Sequence, residues 1–226
     1  MTAPAQRLAW VEQGSRLFLD QLASIPDSAF PEPGTLPGWT TAHLVAHVGY
    51  NAKALSRLVR WARTGEESPM YPSPESRNAE IEQGAKLPAG EIRELATETD
   101  SRLRADLTAL TAWDAQVRTA QGRLVPATEI PWLRTREVWI HAVDLGTGVG
   151  FDDFPDELVD ALIADVVGLR ASRDQGPAFV LEASDRASDW RIPGEEPVVV
   201  RGTAAELCRW ICGRGGLDGP DLGKWL

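Results

Sequence analysis

One of the longest periodic segments in the chain, Thr40 to about Arg63, does most to limit the possible folds. The sequence TTAHLVAHVGYNAKALSRLVRWAR repeats its apolar residues at helical spacing, and Thr40 is placed to cap the first turn. Similar helical segments run from about 6 to 25, from 90 to 115 and from 131 to 146. Four helices of this length, one reached by a long crossing, predict a four-helix bundle.

After Gly150, the sequence changes from long helical segments to one helical segment followed by short β-branched runs. Residues 154–172 predict another amphipathic helix, but short β-branched runs follow at 177–185, 189–192 and 197–202. A last helix is expected near residues 203–216. The sequence therefore predicts a mainly α protein, with a bundle domain at 1–154 and a small α/β domain at 155–226.

Composition narrows the possible partners and location. The formal net charge of −10, without any cluster of Lys and Arg, argues against nucleic acid as a partner. We expect no membrane span and a cytoplasmic protein, because the chain has neither a long apolar run nor a basic leader followed by an apolar segment. The two cysteines, Cys208 and Cys212, are four residues apart, which is typical of small core residues on one helical face.

The histidines point to a site inside the bundle. The three histidines of the chain, His43, His47 and His141, all lie on the second and fourth predicted helices. Glu137 and His141 share one helical face among apolar neighbours, as do His43 and His47 on the other helix. Two imidazoles and one carboxylate form a common metal-ligand set with one coordination position left open. Such histidines can also be solvated pairs or ordinary packed residues, and that alternative stays open. The more specific metalloprotease pattern, HExxH, is absent.

Several motifs resemble one family over almost the whole chain. GWTTAHLVAHVGYNAKAL, TGEESPMYPSPESRNAEI, TAQGR, REVWIHAVDLG and the late GRG occur in the order found in mycothiol-dependent maleylpyruvate isomerases, which have a DinB-like four-helix bundle. The resemblance implies zinc held by His47, Glu137 and His141, and a functional arginine at Arg214 in the C-terminal domain. His43 is not a ligand in that family and is retained as a possible neighbour of the ligands.

The resemblance also implies a reaction. Maleylpyruvate would be converted to fumarylpyruvate, a step of gentisate degradation, by addition of the mycothiol thiolate, bond rotation and expulsion of the thiol. Coordination to zinc would deprotonate that thiol. Because the substrate is a dianion, arginines must offset the net negative charge, and Arg77, Arg123 or Arg134 are candidates beside Arg214. Pocket-lining candidates from the matching motifs are Trp39, Tyr50, Asn51, Met70 and Tyr71.

Two other classes of function remain open at this level. A mycothiol or bacillithiol S-transferase acting on electrophiles would keep the same ligands but change the crossing around Met70 and Tyr71. A non-enzymatic regulator that binds a ligand in its C-terminal domain would hold no stoichiometric zinc.

Overall fold

The computed structural model describes residues 4–173, 177–187, 189–220 and 222. The chain divides into two compact units, Met1–Gly148 and Val149–Leu226. The domain limit at residue 154 remains a prediction from the sequence. In the described part of the chain, no helix is both long and apolar enough to cross a membrane.

The first unit is built around four long helices. These are α1 (Ala5–Ser24), α2 (Thr41–Thr64), α4 (Ala89–Ala109) and α5 (Ile130–Asp144), and a shorter helix, α3 (Pro74–Gly84), lies in the crossing between α2 and α4. Both α1 and α2 pack against α4 and α5, which closes the bundle. The predicted mainly helical fold is therefore confirmed.

Local sequence explains where α2 begins and ends. The Thr40 hydroxyl accepts a hydrogen bond from the backbone N–H of His43, as expected of an N-cap residue. At the other end, Gly65 takes the left-handed conformation with φ of 75°, which favours glycine after a helix. Thr40 as the predicted cap is thus confirmed.

Two features of the first unit were not expected from sequence. The crossing contains α3, whose Ser73 cap exchanges hydrogen bonds with Ser76 and whose Pro74 occupies the first turn, where proline is tolerated. The third predicted helix extends to residue 115, but α4 ends at Ala109. After it, strands β1 (Gln116–Arg118) and β2 (Leu124–Pro126) form an antiparallel hairpin.

The second unit is a small α/β arrangement. Helix α6 (Asp156–Arg173) precedes β3 (Phe179–Ala183), β4 (Trp190–Ile192) and β5 (Val198–Gly202), and α7 (Ala204–Ile211) follows. The sheet order is β4-β3-β5, with β4 antiparallel and β5 parallel to β3. Each of these elements was predicted from the sequence, with small differences in its bounds.

Candidate metal centre

His47 of α2 meets Glu137 and His141 of α5 inside the bundle. Glu137 Oε2 lies 2.9 Å from His47 Nε2 and 3.3 Å from His141 Nε2. In the described residues, this trio is the group of His, Cys, Asp and Glu side chains that could hold a metal ion, with ligand atoms within 4.8 Å of one another. The two imidazoles are buried and the Glu137 side chain is 14% exposed. The convergence expected from the sequence is therefore present.

The nitrogen of each imidazole that faces away from Glu137 has a different partner. His141 Nδ1 lies 2.8 Å from Oδ2 of the buried Asp144. His47 Nδ1 lies 3.3 Å from Nη2 of Arg77, on α3. A carboxylate is the usual outer partner of a metal-binding histidine, because it accepts the remaining N–H. The guanidinium can only donate.

Burial and mutual contacts set the charge of the trio. Burial lowers the pKa of His47, although Glu137 opposes this effect. Burial alone would raise the pKa of Glu137, but the charge of His47 and hydrogen bonds from both imidazoles bring it well below its ordinary value. Burial alone would lower the pKa of His141, but hydrogen bonds to Asp144 and Glu137 raise it overall. Glu137 is thus held as a carboxylate, the form that binds a cation.

The donor set fits a divalent metal ion. Two buried imidazole nitrogens and one carboxylate oxygen match the protein ligands of catalytic zinc sites, which keep one further position for water or substrate. Asp144 also supplies the carboxylate that orients a ligating imidazole. Other first-row ions accept the same ligands, so geometry and availability decide among them.

His43 lies one helical turn before His47 and has a local role. The backbone N–H of Thr40 donates to His43 Nδ1 at 3.3 Å, and the Thr40 hydroxyl lies 2.7 Å from the same nitrogen. His43 Nε2 is 3.6 Å from the carboxylate of Glu82. These contacts place the His43 ring at the start of α2 as part of its capping box.

The crossing segment brings two polar side chains to the trio. Arg77 contacts His47, as described above, and its positive charge acts to lower the pKa of Tyr71. Burial, together with the charge of Glu137, raises the pKa of Tyr71 to about 12, so its hydroxyl remains a donor at neutral pH. The ring of Trp39 lies 5.3 Å from that of His47. Among the candidates in the described residues, Arg77 and Trp39 contact the ligand His47, and Tyr71 is close enough to Glu137 for its charge to act on the Tyr71 hydroxyl.

The remaining pocket and arginine candidates lie elsewhere. Arg134 is buried inside the bundle, where it donates to Asp100 and Asn51. Arg123 is exposed in the hairpin turn. Met70 is part of the hydrophobic core, and Tyr50 packs against Gly84 on α3. Arg134 is therefore a structural residue of the bundle and has no solvent access for a substrate carboxylate.

A buried polar network lies one turn from the metal ligands and was not expected from sequence. Arg134 Nη2 donates to Asp100 at 3.0 Å, and Arg134 Nη1 donates to the Asn51 side chain at 3.1 Å and to the Val48 carbonyl at 2.9 Å. The hydroxyl of Ser15 donates to Asp100 at 2.6 Å. The network thus joins α1, α2, α4 and α5. The only feature of the sequence that pointed to this network was the charged residue Arg134 among apolar neighbours in α5.

The second unit holds Arg214 and both cysteines. Arg214 follows α7 in a glycine-rich turn and donates to the Cys212 carbonyl at 2.6 Å. Cys208 and Cys212 are free and buried, and burial raises the pKa of Cys208 well above its ordinary value. These thiols are inert core residues.

Comparison with known proteins agrees with this geometry. A family model described as the mycothiol maleylpyruvate isomerase N-terminal domain matches residues 11–146, and the corresponding C-terminal domain model matches residues 153–223. A search of curated protein sequences gave no significant match.

Two solved structures are similar over nearly the whole chain. One is the crystal structure of the mycothiol-dependent maleylpyruvate isomerase, with 39% identity, a TM-score of 0.95, and coverage of 99% of this chain and 97% of the other. The second, a mutant of the isomerase with one histidine replaced by alanine, has the same identity and coverage and a TM-score of 0.94. The chain therefore belongs to the mycothiol-dependent maleylpyruvate isomerase family.

Proposed function

We propose that this protein converts maleylpyruvate to fumarylpyruvate with mycothiol as its thiol cofactor and zinc held by His47, Glu137 and His141. One observation carries the proposal: two buried imidazoles and a carboxylate converge in a chain that is 39% identical over 99% of its length to an isomerase of this kind. The isomerisation is a step of gentisate degradation.

The metal ion, when bound, lowers the pKa of a coordinated thiol, so that a thiolate is available at neutral pH. The chain's own residues prepare this environment. Glu137 supplies the negative charge of the ligand set, and Asp144 fixes the orientation of the His141 ring. Burial of the two imidazoles limits the access of water, which strengthens electrostatic interactions within the site.

The decisive experiment compares turnover with and without the thiol. Zinc-loaded protein is incubated with maleylpyruvate in the presence or absence of mycothiol, and the loss of substrate absorbance is followed. We expect conversion only when mycothiol is present. Conversion without the thiol, or no conversion with it, would refute the proposed function.

Arg214 is proposed as the functional arginine of the second unit, on the basis of the matching GRG motif. Its guanidinium offers the fork that binds carboxylates, which a lysine cannot reproduce. We expect Arg214→Ala to lose at least about 100-fold in kcat/KM, equivalent to roughly 3 kcal/mol of transition-state stabilisation. Its zinc content, measured by atomic emission, should be unchanged. Full activity, or loss of the metal, would contradict this role.

A cytoplasmic location is part of the proposal. A thiol cofactor must stay reduced to act, and the cytoplasm is the compartment that keeps thiols reduced. Fractionation of cells followed by immunodetection of the protein tests this, and recovery outside the cytoplasmic fraction would contradict it.

A further inference from the structure

The outer nitrogens of the two metal-binding histidines face groups of opposite character. His141 Nδ1 lies 2.8 Å from a carboxylate, the acceptor that suits an N–H. His47 Nδ1 lies 3.3 Å from the Arg77 guanidinium, which has donors and no acceptor. Both Nε2 atoms point toward Glu137, so the difference concerns only the outer side of the centre.

The contact between Arg77 and His47 is satisfied only in one tautomer of His47. When Arg77 donates to Nδ1, the proton of the neutral ring is on Nε2 and is donated to Glu137 Oε2, 2.9 Å away. An imidazole that binds a metal ion through Nε2 carries its proton on Nδ1 instead. In that tautomer, the Nδ1–H of His47 and the N–H groups of Arg77 are adjacent donors without an acceptor between them.

Two adjacent donors, one of them cationic, form a site for an anion. A carboxylate oxygen accepts several hydrogen bonds, and charge-assisted bonds to a guanidinium are the stronger kind. In the apo tautomer, by contrast, Nδ1 is an acceptor and repels an anion.

We propose that Arg77 and the outer nitrogen of His47 form a carboxylate-binding notch that is completed when His47 binds the metal ion. Arg77 is then a specificity-determining residue that binds one carboxylate of the substrate on the outer side of His47. The identity of that carboxylate as part of maleylpyruvate rests on the proposed function. The notch itself requires only a metal ion and a small carboxylate.

The notch predicts that metal and carboxylate bind cooperatively. By thermodynamic reciprocity, an anion that prefers the metal-bound tautomer must raise metal affinity by the factor by which the metal raises anion affinity. Fumarate is a suitable probe, because it is a stable dicarboxylate and no thiol or turnover is needed. Zinc affinity of the full-length protein is measured by competition with a chromophoric chelator, with and without fumarate.

For the wild type, we expect fumarate to raise zinc affinity by about tenfold, within the usual range of coupling between sites. Arg77→Met should lose this effect. Without fumarate, Arg77→Met should bind zinc at least as tightly as the wild type, because a positive charge and a bond specific to the apo tautomer are both removed. Arg77→Lys, which keeps the charge without the fork, should retain only part of the effect.

Arg60→Met is the matched control, because Arg60 is an exposed arginine of α2 paired with Glu66. It should show the wild-type response to fumarate. The proposal is overturned if fumarate has no effect on the wild type, if its effect persists in Arg77→Met, or if Arg77→Met loses zinc in the absence of the anion. Persistence in Arg77→Met would mean that the anion binds the metal directly.

The failure of this inference can be distinguished from failure of the proposed function. If the wild type shows no isomerisation but responds to fumarate through Arg77, the notch stands and the proposed function falls. If isomerisation requires mycothiol but the fumarate effect is independent of Arg77, the function stands and the notch falls. In the active protein, Arg77→Met should raise KM for maleylpyruvate more than it lowers kcat.

Discussion

At the scale of single residues, α5 shows why polar groups occur on a helix that is buried on nearly every side. Its side chains form a connected series: Glu137 contacts two imidazoles, and His141 in turn contacts Asp144. Each buried polar atom in this series has a partner, which limits the free-energy cost of removing it from water. The polar residues that a helix buried only for packing would lack are thus the ones that form the candidate metal centre.

The role of Asp144 is testable. Asp144→Asn keeps the size of the side chain but removes the negative charge that holds the outer N–H of His141. We expect zinc affinity to fall by about 10- to 100-fold, the usual effect of removing such a partner. Chelator competition measures this. Asp20→Asn, at an exposed position of α1, is the control and should match the wild type; an unchanged affinity in Asp144→Asn would contradict the role.

The sequence could predict the ligands but only some of their partners. His47, Glu137 and His141 could be predicted because helical spacing fixes which residues share a face, and because the motifs resemble a known family. The Arg77 contact depends on how the crossing folds back over α2, which local spacing does not encode. Asp144 could in principle have been predicted as a partner of His141, since it lies three residues later on the same helical face.

At the scale of helices, the network around Arg134 and Asp100 fixes the relative positions of the four bundle helices. Arg134 precedes Glu137 by one turn on α5, and it bonds to the Val48 carbonyl and to Asn51 next to His47 on α2. A shift of either helix by one turn would leave a buried charge unpaired, which is strongly unfavourable. The network therefore sets the register in which the ligands meet.

Removing one member of this network should cost more than removing both. Arg134→Met leaves the buried carboxylate of Asp100 without its principal partner, and we expect a loss of about 3–5 kcal/mol in the free energy of unfolding. The double variant Arg134→Met with Asp100→Leu should recover most of that loss. Hydrogen exchange of α5 amides provides the measurement, and a double variant less stable than Arg134→Met would refute the argument.

The same pair predicts how stability depends on pH. Burial alone would raise the pKa of Asp100, but the Arg134 charge and hydrogen bonds from Ser15 and Arg104 lower it overall. A carboxyl group with a lowered folded pKa contributes stability above its unfolded pKa of about 3.9 and loses it as pH falls through the folded value. The stability difference between wild type and Asp100→Asn should therefore be largest near neutrality and shrink in acid. Urea denaturation at a series of pH values measures this difference; one that stays constant into acid would contradict the prediction.

The contact between α1 and α5 depends on a glycine. A Cβ on Gly14 would lie 2.5 Å from Cδ1 of Trp139, whose indole N–H donates to the Trp10 carbonyl at 2.8 Å. We expect Gly14→Ala to destabilise the bundle by about 1–3 kcal/mol, because this overpacking outweighs the better helix propensity of alanine. Gly90→Ala, on an open face of α4, is the control and should not lower the thermal midpoint. A raised midpoint for Gly14→Ala would show that the contact relaxes.

The sequence predicted the long helices and the elements of the second unit, but it missed α3 and the hairpin of β1 and β2. The long helices could be predicted because their apolar positions recur over many turns. The hairpin was missed because Leu110 continues the apolar spacing of α4, although its backbone is already extended. Strands β1 and β2 each have three residues, which carry too few alternations to be distinguished from a loop, whereas the equally short β4 lies between two longer β-branched runs. Helix α3 was missed because its sequence, PESRNAEIEQG, has only Ile81 as a buried apolar side chain and so shows no apolar helical face.

At the scale of the whole molecule, the metal ligands and Arg214 fall in different compact units. His47, Glu137 and His141 all belong to the first unit, with their partners Arg77 and Asp144. The second unit has its own core, in which the Phe179 and Trp210 rings pack edge to face at 5.8 Å. The second unit thus has buried packing of its own, separate from the metal ligands of the first unit.

Metal binding should therefore stabilise one unit selectively. A ligand that binds only the folded state stabilises it by about 2.7 kcal/mol at 100 times its dissociation constant. Because the ligands join α2 to α5, zinc should slow hydrogen exchange most in these two helices, and less in α6, α7 and the sheet of the second unit. Exchange followed by mass spectrometry with zinc or with a chelator measures this, and Glu137→Gln, which lacks the charged ligand, should lose the protection. Equal protection of both units by zinc would show that they unfold as one cooperative body, because stability gained at the ligands would then reach every buried amide of the chain.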